Sequence, residues 1–456
     1  MNKYFVGIDL GTSSAKALAF CGSKRIFLKK NYSGNKPENY LNTVVEIIDD
    51  IISETKNNID TISFSSQTGT YVIDGKHLIS WNGNEGKNEL EEVLKSTTKS
   101  TFVKEIQMAH PSLVSYPLPR LLFVKKNFKT AKTVCQLKDY IVYKLTNNLI
   151  SDYYTWRGLC NFNKKTYSEL LLKKYDINFN LPKLVSPEKI VGEYKGIKIM
   201  VGLNDFYSGL IGMGAFKTGT CFDITGTSEH IGVISKELSN ELISSPFIKN
   251  YVSYGVTQSS GPSITFTKKL FPNEDYSLNI LKNNPPVFLP YLNGERAPIY
   301  DLDARGVFFG INKNTSDKEL SYSVYEGIAF SLMSILENYK IKNIIVGGGA
   351  ANFKILNQIK ANLFNTSIEV PLEPESSAYG AYLMAKHGLN ISSISSEIKY
   401  KKVTVKIEKT YQEILLKRYE IYKELYRTNK NNFKLMKEVA LWVVLFLEQG
   451  KLLVVL

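Results

Sequence analysis

The chain has 456 residues, 43% of them hydrophobic and 22% charged, a length too great for one compact core and a composition ordinary for a globular protein, so two domains are expected. Its formal charge of +14 is carried by scattered lysines, as in Lys29-Lys30, Lys125-Lys126, Lys164-Lys165, Lys173-Lys174 and Lys401-Lys402. Without an arginine-rich arm or zinc-finger spacing this argues against nucleic acid as the main partner, and leaves a positive field that favours a small anion such as a nucleotide.

In chain order, Tyr4–Asp9 and Ala15–Phe20 read as a hairpin around Gly11-Thr12-Ser13. Leu41, Val44, Val45, Ile48, Ile51 and Ile52 recur at helical spacing and predict an amphipathic helix over Tyr40–Thr55. Thr61–Ser65 and Tyr71–Asp74 read as short strands, and Leu118–Lys126 and Lys138–Leu145 as helices. A strand over Ile197–Val201 runs into Gly202-Leu203-Asn204-Asp205. A second block restarts at Thr220 with its own hairpin around Gly226-Thr227-Ser228. It continues through a long helix, Leu320–Tyr339, a strand, Asn343–Val346, the run Gly347-Gly348-Gly349 and a helix, Phe353–Phe364. Strands alternating with helices predict an α/β fold in each half. The serine-rich and then lysine-rich stretch from Ile391 to Lys409 marks the exit from the second block. The expected domains are 1–216, 217–390 and a C-terminal helical extension, 391–456.

The four cysteines (Cys21, Cys135, Cys160, Cys221) and four histidines are dispersed and encode neither a local disulfide framework nor a zinc site. Asp9 falls where a signal peptide would need its apolar core, which points to the cytoplasm. At the far end, Val439–Leu447 and Lys451–Leu456 are strongly apolar, but Glu448, Gln449, Gly450 and Lys451 interrupt them, so no membrane span is expected. A buried terminal helix, an interfacial tail and an altered reading frame all fit this segment.

The two hairpins share one pattern. Each is an apolar, β-prone run with an Asp just ahead of a Gly-Thr-Ser corner: Asp9 before Gly11, Thr12 and Ser13, and Asp223 before Gly226, Thr227 and Ser228. Glycine lets the backbone approach an anion, and hydroxyls and freed N–H groups then bind its oxygens. Two such corners, each early in a domain-sized block, suggest related domains facing one polyphosphate, although Gly-Thr-Ser is also an ordinary turn. Phosphoryl transfer further needs a metal partner and a proton acceptor. Asp9 is placed to hold Mg²⁺, directly or through its waters, whereas Lys16 reads as a solvated hairpin lysine. Asp205 ends an apolar strand, where open α/β sheets present ligands. It has two readings, a helix N-cap or a general base, and the cap is the plainer one. Gly209 and Gly212-Met213-Gly214 after it suit a helix packed closely on something. Gly347, Gly348, Gly349 and Ala350 read as a close-approach loop with a helix N-terminus behind it. Both the dinucleotide glycine fingerprint and the Gly-x-x-x-x-Gly-Lys-Ser/Thr loop are absent from the chain. Glu295-Arg296, in the turn-rich stretch Pro290–Pro298, reads as a loop brace.

These stretches together resemble the FGGY carbohydrate kinases of the actin-like ATPase superfamily, from Val6–Ser13 to Ala378–Ala385. Leu289–Pro298 with Ala304–Gly310 is especially similar to xylulokinases and related gluconate kinases, and Lys138-Asp139-Tyr140, Tyr325–Phe330 and Val346–Ala350 fall in family order. The resemblance implies two actin-like (ribonuclease H-like) domains with a catalytic cleft between them, ATP with Mg²⁺, and transfer to a sugar or polyol hydroxyl. It makes Asp205 the base, with Asp9 and Asp205 serving the metal. Asp9, Gly11, Thr12 and Ser13 become the first phosphate motif, Gly226, Thr227 and Ser228 the second, and Gly347 to Ala350 the adenosine motif. Departures cluster on the sugar side. Gln67-Thr68-Gly69 stands where xylulokinases carry Gln-Met-His-Gly, Trp81-Asn82-Gly83-Asn84-Glu85 lacks the arginine of a Trp-x-Asp-x-Arg signature, and Phe206 replaces an Asn. Gln67, Thr68, Trp81, Asn82 and Phe206 remain as sugar contacts, Phe206 as a stacking face. The expected function is a pentulose kinase, with xylulose as the type substrate. Gluconate or another polyol is the alternative acceptor, and a nucleotide-binding sugar sensor that has lost turnover the alternative role. A homodimer is allowed.

Overall fold

Val6, Ile8 and Leu10 are fully buried on alternate positions, so the first segment is a strand, β1 (Tyr4–Leu10). The structure, a computed structural model, describes residues 3–109, 111–225, 229–270, 277–403 and 407–448. It divides into two units, one built from residues 1–218, 234–253 and 371–399 and the other from 219–233, 254–370 and 400–456.

In the first unit β1 is followed by β2 (Ser14–Cys21), β3 (Lys24–Asn31), helix α1 (Pro37–Thr55) and β4 (Ile59–Ser66). After helix α2 (Leu137–Thr146) come β5 (Ile190–Tyr194), β6 (Ile197–Asn204) and helix α3 (Asp205–Met213). The sheet order is β5-β6-β4-β1-β2-β3. β1 and β6 both run parallel to β4, and the hairpin pairs are antiparallel. Val44, Ile47, Ile48 and Ile51 of α1 share one core with Ile8, Leu10, Ile62 and Phe64 of the sheet. The helix begins three residues before the predicted Tyr40, at Pro37, whose fixed φ suits the first turn.

β6 is longer than its apolar run because it contains a bulge. Its register on β4 shifts between Met200 and Leu203, Gly202 has φ +73°, and a Cβ there would lie 1.9 Å from the Phe64 carbonyl oxygen. The bulge carries the strand on to Asn204 and delivers Asp205 to the strand's C-terminal end. The glycines after Asp205 have the close neighbour that the sequence predicts, the helix Ser376–His387. A Cβ on Gly212 would lie 2.0 Å from the Ser376 carbonyl oxygen, and one on Gly380 would lie 1.8 Å from that of Ser208.

The second unit repeats the plan. β7 (Thr220–Thr225) and β8 (Glu229–Ser235) form an antiparallel hairpin. The sheet also contains β9 (Asn250–Thr257), β10 (Asn343–Gly348), β11 (Ile368–Pro371) and β12 (Tyr400–Val403). β10 lies parallel beside β7 just as β4 lies parallel beside β1. Two helices predicted from the sequence are present, α4 (Asp317–Leu336) and α5 (Lys354–Leu363). The chain closes with α6 (Lys409–Glu448), 40 residues long. Leu415, Tyr419, Tyr422 and Phe433 lie on its buried stripe, and Arg418 grips Glu326 of α4 through Nε and Nη2, both at 2.8 Å. The apolar run from Val439 to Leu447 continues this helix, while 449–456 lie outside the described residues. Among the described residues no helix is long and apolar enough to cross a membrane.

Candidate active site

The first Gly-Thr-Ser corner is a tight turn between β1 and β2. The Gly11 N–H donates to the Ser14 carbonyl at 3.1 Å, and Thr12 and Ser13 project into solvent. Asp9 is paired in register with Ser65 of β4, whose hydroxyl donates to Asp9 Oδ1 at 2.7 Å. Lys16 departs from its expected solvated role, because Glu375 takes its ammonium at 2.6 Å with both side chains partly buried.

Trp81, 44% exposed, joins the candidate sugar loop to the phosphate corner, its indole Nε1 donating to Thr12 Oγ1 at 3.1 Å. Asn82 is exposed and accepts from the Ser80 hydroxyl at 2.8 Å. The Trp81–Glu85 stretch is braced by an arginine remote in sequence. Fully buried Arg120 pairs with Glu85 at 3.1 Å and donates to the Ser80 and Gly83 carbonyls at 2.9 and 3.0 Å. Gln67 packs against the corner through its N–H on the Leu10 carbonyl at 3.0 Å. It is 3% exposed, and its amide interacts with the Tyr40 phenol.

Asp205 opens α3, but the cap of that helix is Asn204, whose Oδ1 accepts from the Tyr207 N–H at 3.1 Å. The cap reading therefore passes to Asn204. Three donors converge on Asp205 Oδ1: the Thr68 N–H at 3.0 Å, the Thr68 hydroxyl at 2.8 Å and the Phe206 N–H at 2.8 Å. Burial raises the Asp205 carboxyl above the usual range, against these bonds and the charge of Arg157. Asp9 is pushed up to about 7, by burial first and then by Asp205 and Glu375, with Ser65 and Lys16 opposing. Two half-buried carboxylates, with Asp205 worsening the ionisation of Asp9, are a donor set that suits a hard divalent cation, whose charge would oppose both upward shifts.

A polar scaffold that the sequence reading missed surrounds this pair. The Gln136 side chain accepts from the Gly69 N–H at 3.1 Å and donates to the Thr155 carbonyl at 2.8 Å. Asp152 accepts from the N–H groups of Tyr154 and Thr155 at 2.8 and 2.9 Å and pairs with buried Lys138 at 2.9 Å. Lys138 in turn donates to the Val201 carbonyl ahead of the bulge. Arg157 lies over Phe206, its guanidinium carbon 4.7 Å from the ring centroid, so one face of the expected stacking surface is already occupied. Of these, only Lys138 carried a signal in the sequence, as part of Lys138-Asp139-Tyr140.

In the second unit, Gly226, Thr227 and Ser228 lie outside the described residues. Gly347 and Gly348 close β10, Gly348 at φ +70°. Gly349 and Ala350 begin a 3₁₀ turn over Gly349–Asn352 ahead of α5, and a Cβ on Gly349 would meet nothing within 4 Å. Asp223 is used differently from Asp9. Lys360 of α5 pairs with it and with Glu229, the latter at 3.1 Å, and all three side chains are fully buried. Glu295 is the loop brace that the sequence suggests, although it acts without an ion pair to Arg296. It accepts from the Thr257 hydroxyl at 2.7 Å and from the N–H groups of Gln258 and Arg296 at 2.9 and 2.7 Å.

Residues 4–207 match the model of the FGGY family of carbohydrate kinases, N-terminal domain, and residues 224–389 match the C-terminal domain of the same family. The xylulose kinase of Staphylococcus xylosus is 28% identical, the match covering 93% of this chain and 99% of that one. The gluconokinase of Bacillus subtilis is 23% identical over 84% of this chain and 87% of its own. The crystal structure of a ligand-bound xylulose kinase from Lactobacillus acidophilus superposes with a TM-score of 0.83 at 24% identity, covering 95% of this chain and 99% of that one. A gluconate kinase from the same organism gives the same TM-score over 96% and 100%, so the fold is the two-domain actin-like ATPase fold. With two family domains in order along the chain, this protein belongs to the FGGY family of carbohydrate kinases and is an ATP-using sugar kinase.

Proposed function

We propose that the chain transfers the terminal phosphoryl group of ATP to a hydroxyl of a pentulose such as xylulose, in the cytoplasm, with Asp205 as the general base. The observation that carries this reading is the setting of Asp205. Three donors converge on Oδ1, so the carboxylate is held in one orientation and Oδ2 takes the proton of the acceptor hydroxyl. The freed oxygen attacks the terminal phosphorus, the bond to the bridging oxygen breaks, and ADP leaves. Such base assistance is worth about 10²–10⁴ in rate, and most of the remaining catalysis is positioning and charge stabilisation. Asp9 and Asp205 would hold Mg²⁺, which when bound offsets the negative charge of the phosphates. Gly11, Thr12 and Ser13 cradle phosphate, with Gly226, Thr227 and Ser228 as the second cradle and Gly347 to Ala350 against the adenosine. Gln67, Trp81 and Asn82 face the sugar. Thr68 serves it indirectly, since its hydroxyl already donates to the base.

Gluconate or another polyol is the second reading. It is favoured by Phe206 and Thr68-Gly69 standing where xylulokinases carry polar side chains. An ADP-release screen against ketopentoses, aldonates, polyols and deoxy-sugars decides between them, a ketopentose giving the largest response if the first reading is right. Silence towards all four classes would sink both. Asp205→Ala should lower acceptor-dependent ADP release by about 10²-fold or more while ATP affinity is kept.

A further inference from the structure

We infer that Arg157 is a positioning residue for the base, clamping the first turn of α3 so that Asp205 faces the acceptor. This rests on Asp205 being the base. Arg157 is 3% exposed, and burying a guanidinium is a costly way to fill space that a methionine would fill without a charge. Three aromatic rings surround it, those of Phe206 at 4.7 Å, Tyr207 at 5.0 Å and Tyr116 at 5.7 Å from its central carbon. Two of the three belong to the turn that carries the base. Phe206 donates its N–H to Asp205 Oδ1 at 2.8 Å, and Tyr207 donates its N–H to the Asn204 cap at 3.1 Å.

The segment bearing Arg157 is itself fixed at both ends of the site. Asn204 Nδ2 donates to the Tyr154 carbonyl at 3.3 Å, and Gln136 links Thr155 to Gly69, the residue after Thr68. Arg157 therefore packs on the two residues, Phe206 and Tyr207, whose N–H groups bind Asp205 and its cap. The guanidinium lies over the Phe206 ring, and its charge favours the ionised form of Asp205.

The test uses the full-length chain with ATP, Mg²⁺ and D-xylulose. Arg157→Met should lower kcat about 10-fold or more, the scale expected when a reacting group is slightly misplaced, with KM for ATP unchanged. Arg157→Lys, which keeps the charge but not the planar face, should fall between Met and wild type. A role exerted through the base predicts that Arg157→Met costs nothing further in the Asp205→Ala background. Wild-type kcat in Arg157→Met overturns the inference, and so does an equal loss in both backgrounds. If Arg157→Met does not fold, Arg157→Lys carries the test alone, and wild-type kcat there is the overturning result. Asp205→Ala with wild-type turnover would instead sink the base assignment, so the two failures are told apart.

Discussion

At the scale of single residues, Asp9 shows what placing a carboxyl in this setting costs the protein. Its carboxyl titrates near 7 in the folded chain against 3.8 when unperturbed. A group whose folded pKa is raised contributes stability that is fully present below the unfolded pKa and lost as pH rises through the folded one. The window therefore runs from about pH 4 to about pH 7, and a shift of this size corresponds to about 4 kcal/mol at most. Asp9→Asn mimics the protonated form. In metal-free buffer its melting temperature should exceed that of wild type by a margin that grows across the window and then levels off. A constant margin from about pH 4 to about pH 8 would show that Asp9 does not titrate there. The same variant should lose Mg²⁺-dependent turnover. Asp9, Gly11 and Asp205 were legible in the sequence because the features that mark them, a strand end beside a glycine corner or a small-residue run, are local. Arg120, Arg157 and Glu375 were not, since Arg120 meets Glu85 across 35 residues and Lys16 meets Glu375 across 359.

At the scale of elements, periodicity carried the reading where one face of an element is fully buried and failed where it is only partly covered. α1 and both hairpins follow their apolar patterns, but β3 was missed because Lys24, Arg25, Lys29 and Lys30 make it a charged edge strand. Lys360 was hidden for the opposite reason. It sits among buried residues of α5 and pairs with both Asp223 and Glu229. Burial and the neighbouring Asp223 push Glu229 upward, against the pull of Lys360. Removing one member of a buried ionic cluster leaves uncompensated charge, which typically costs about 3–5 kcal/mol. Lys360→Met should accordingly lower the urea midpoint strongly, and adding Asp223→Asn and Glu229→Gln should restore much of the loss. A single variant as stable as wild type would mean that the cluster is neutral without its lysine. Gly202 gives a second check on how elements place the base. Gly202→Ala forces a Cβ into the Phe64 carbonyl at a φ that L-residues rarely adopt. It should therefore lower both stability and kcat, whereas a loss of stability alone would separate the bulge from catalysis.

At the scale of the whole molecule, each unit is completed by chain that is remote in sequence, and no local pattern announces this. The helix Ser376–His387 returns to the first unit, where its backbone fills the space left by Gly7 and Gly212. α6 belongs to the second, and its two ends have different physical standing. Through Phe433 it is pinned by a buried stripe, by Arg418 on Glu326 and on the Pro285 and Pro286 carbonyls, and by the Tyr291–Tyr422 hydroxyl pair. Beyond that point Leu435, Met436 and Val439 are more than half exposed, and the Lys437–Asp303 pair at 2.9 Å is a surface contact of the kind worth about 0–1 kcal/mol. Removing residues 435–456 should therefore leave the urea midpoint and the turnover close to wild type. Arg418→Met, which strands Glu326 in the core, should cost about 3–5 kcal/mol. If the truncation proved the more damaging of the two, the apolar end of the helix would have to bury against something, and concentration-dependent sedimentation of the full chain would show whether that is a second copy of itself.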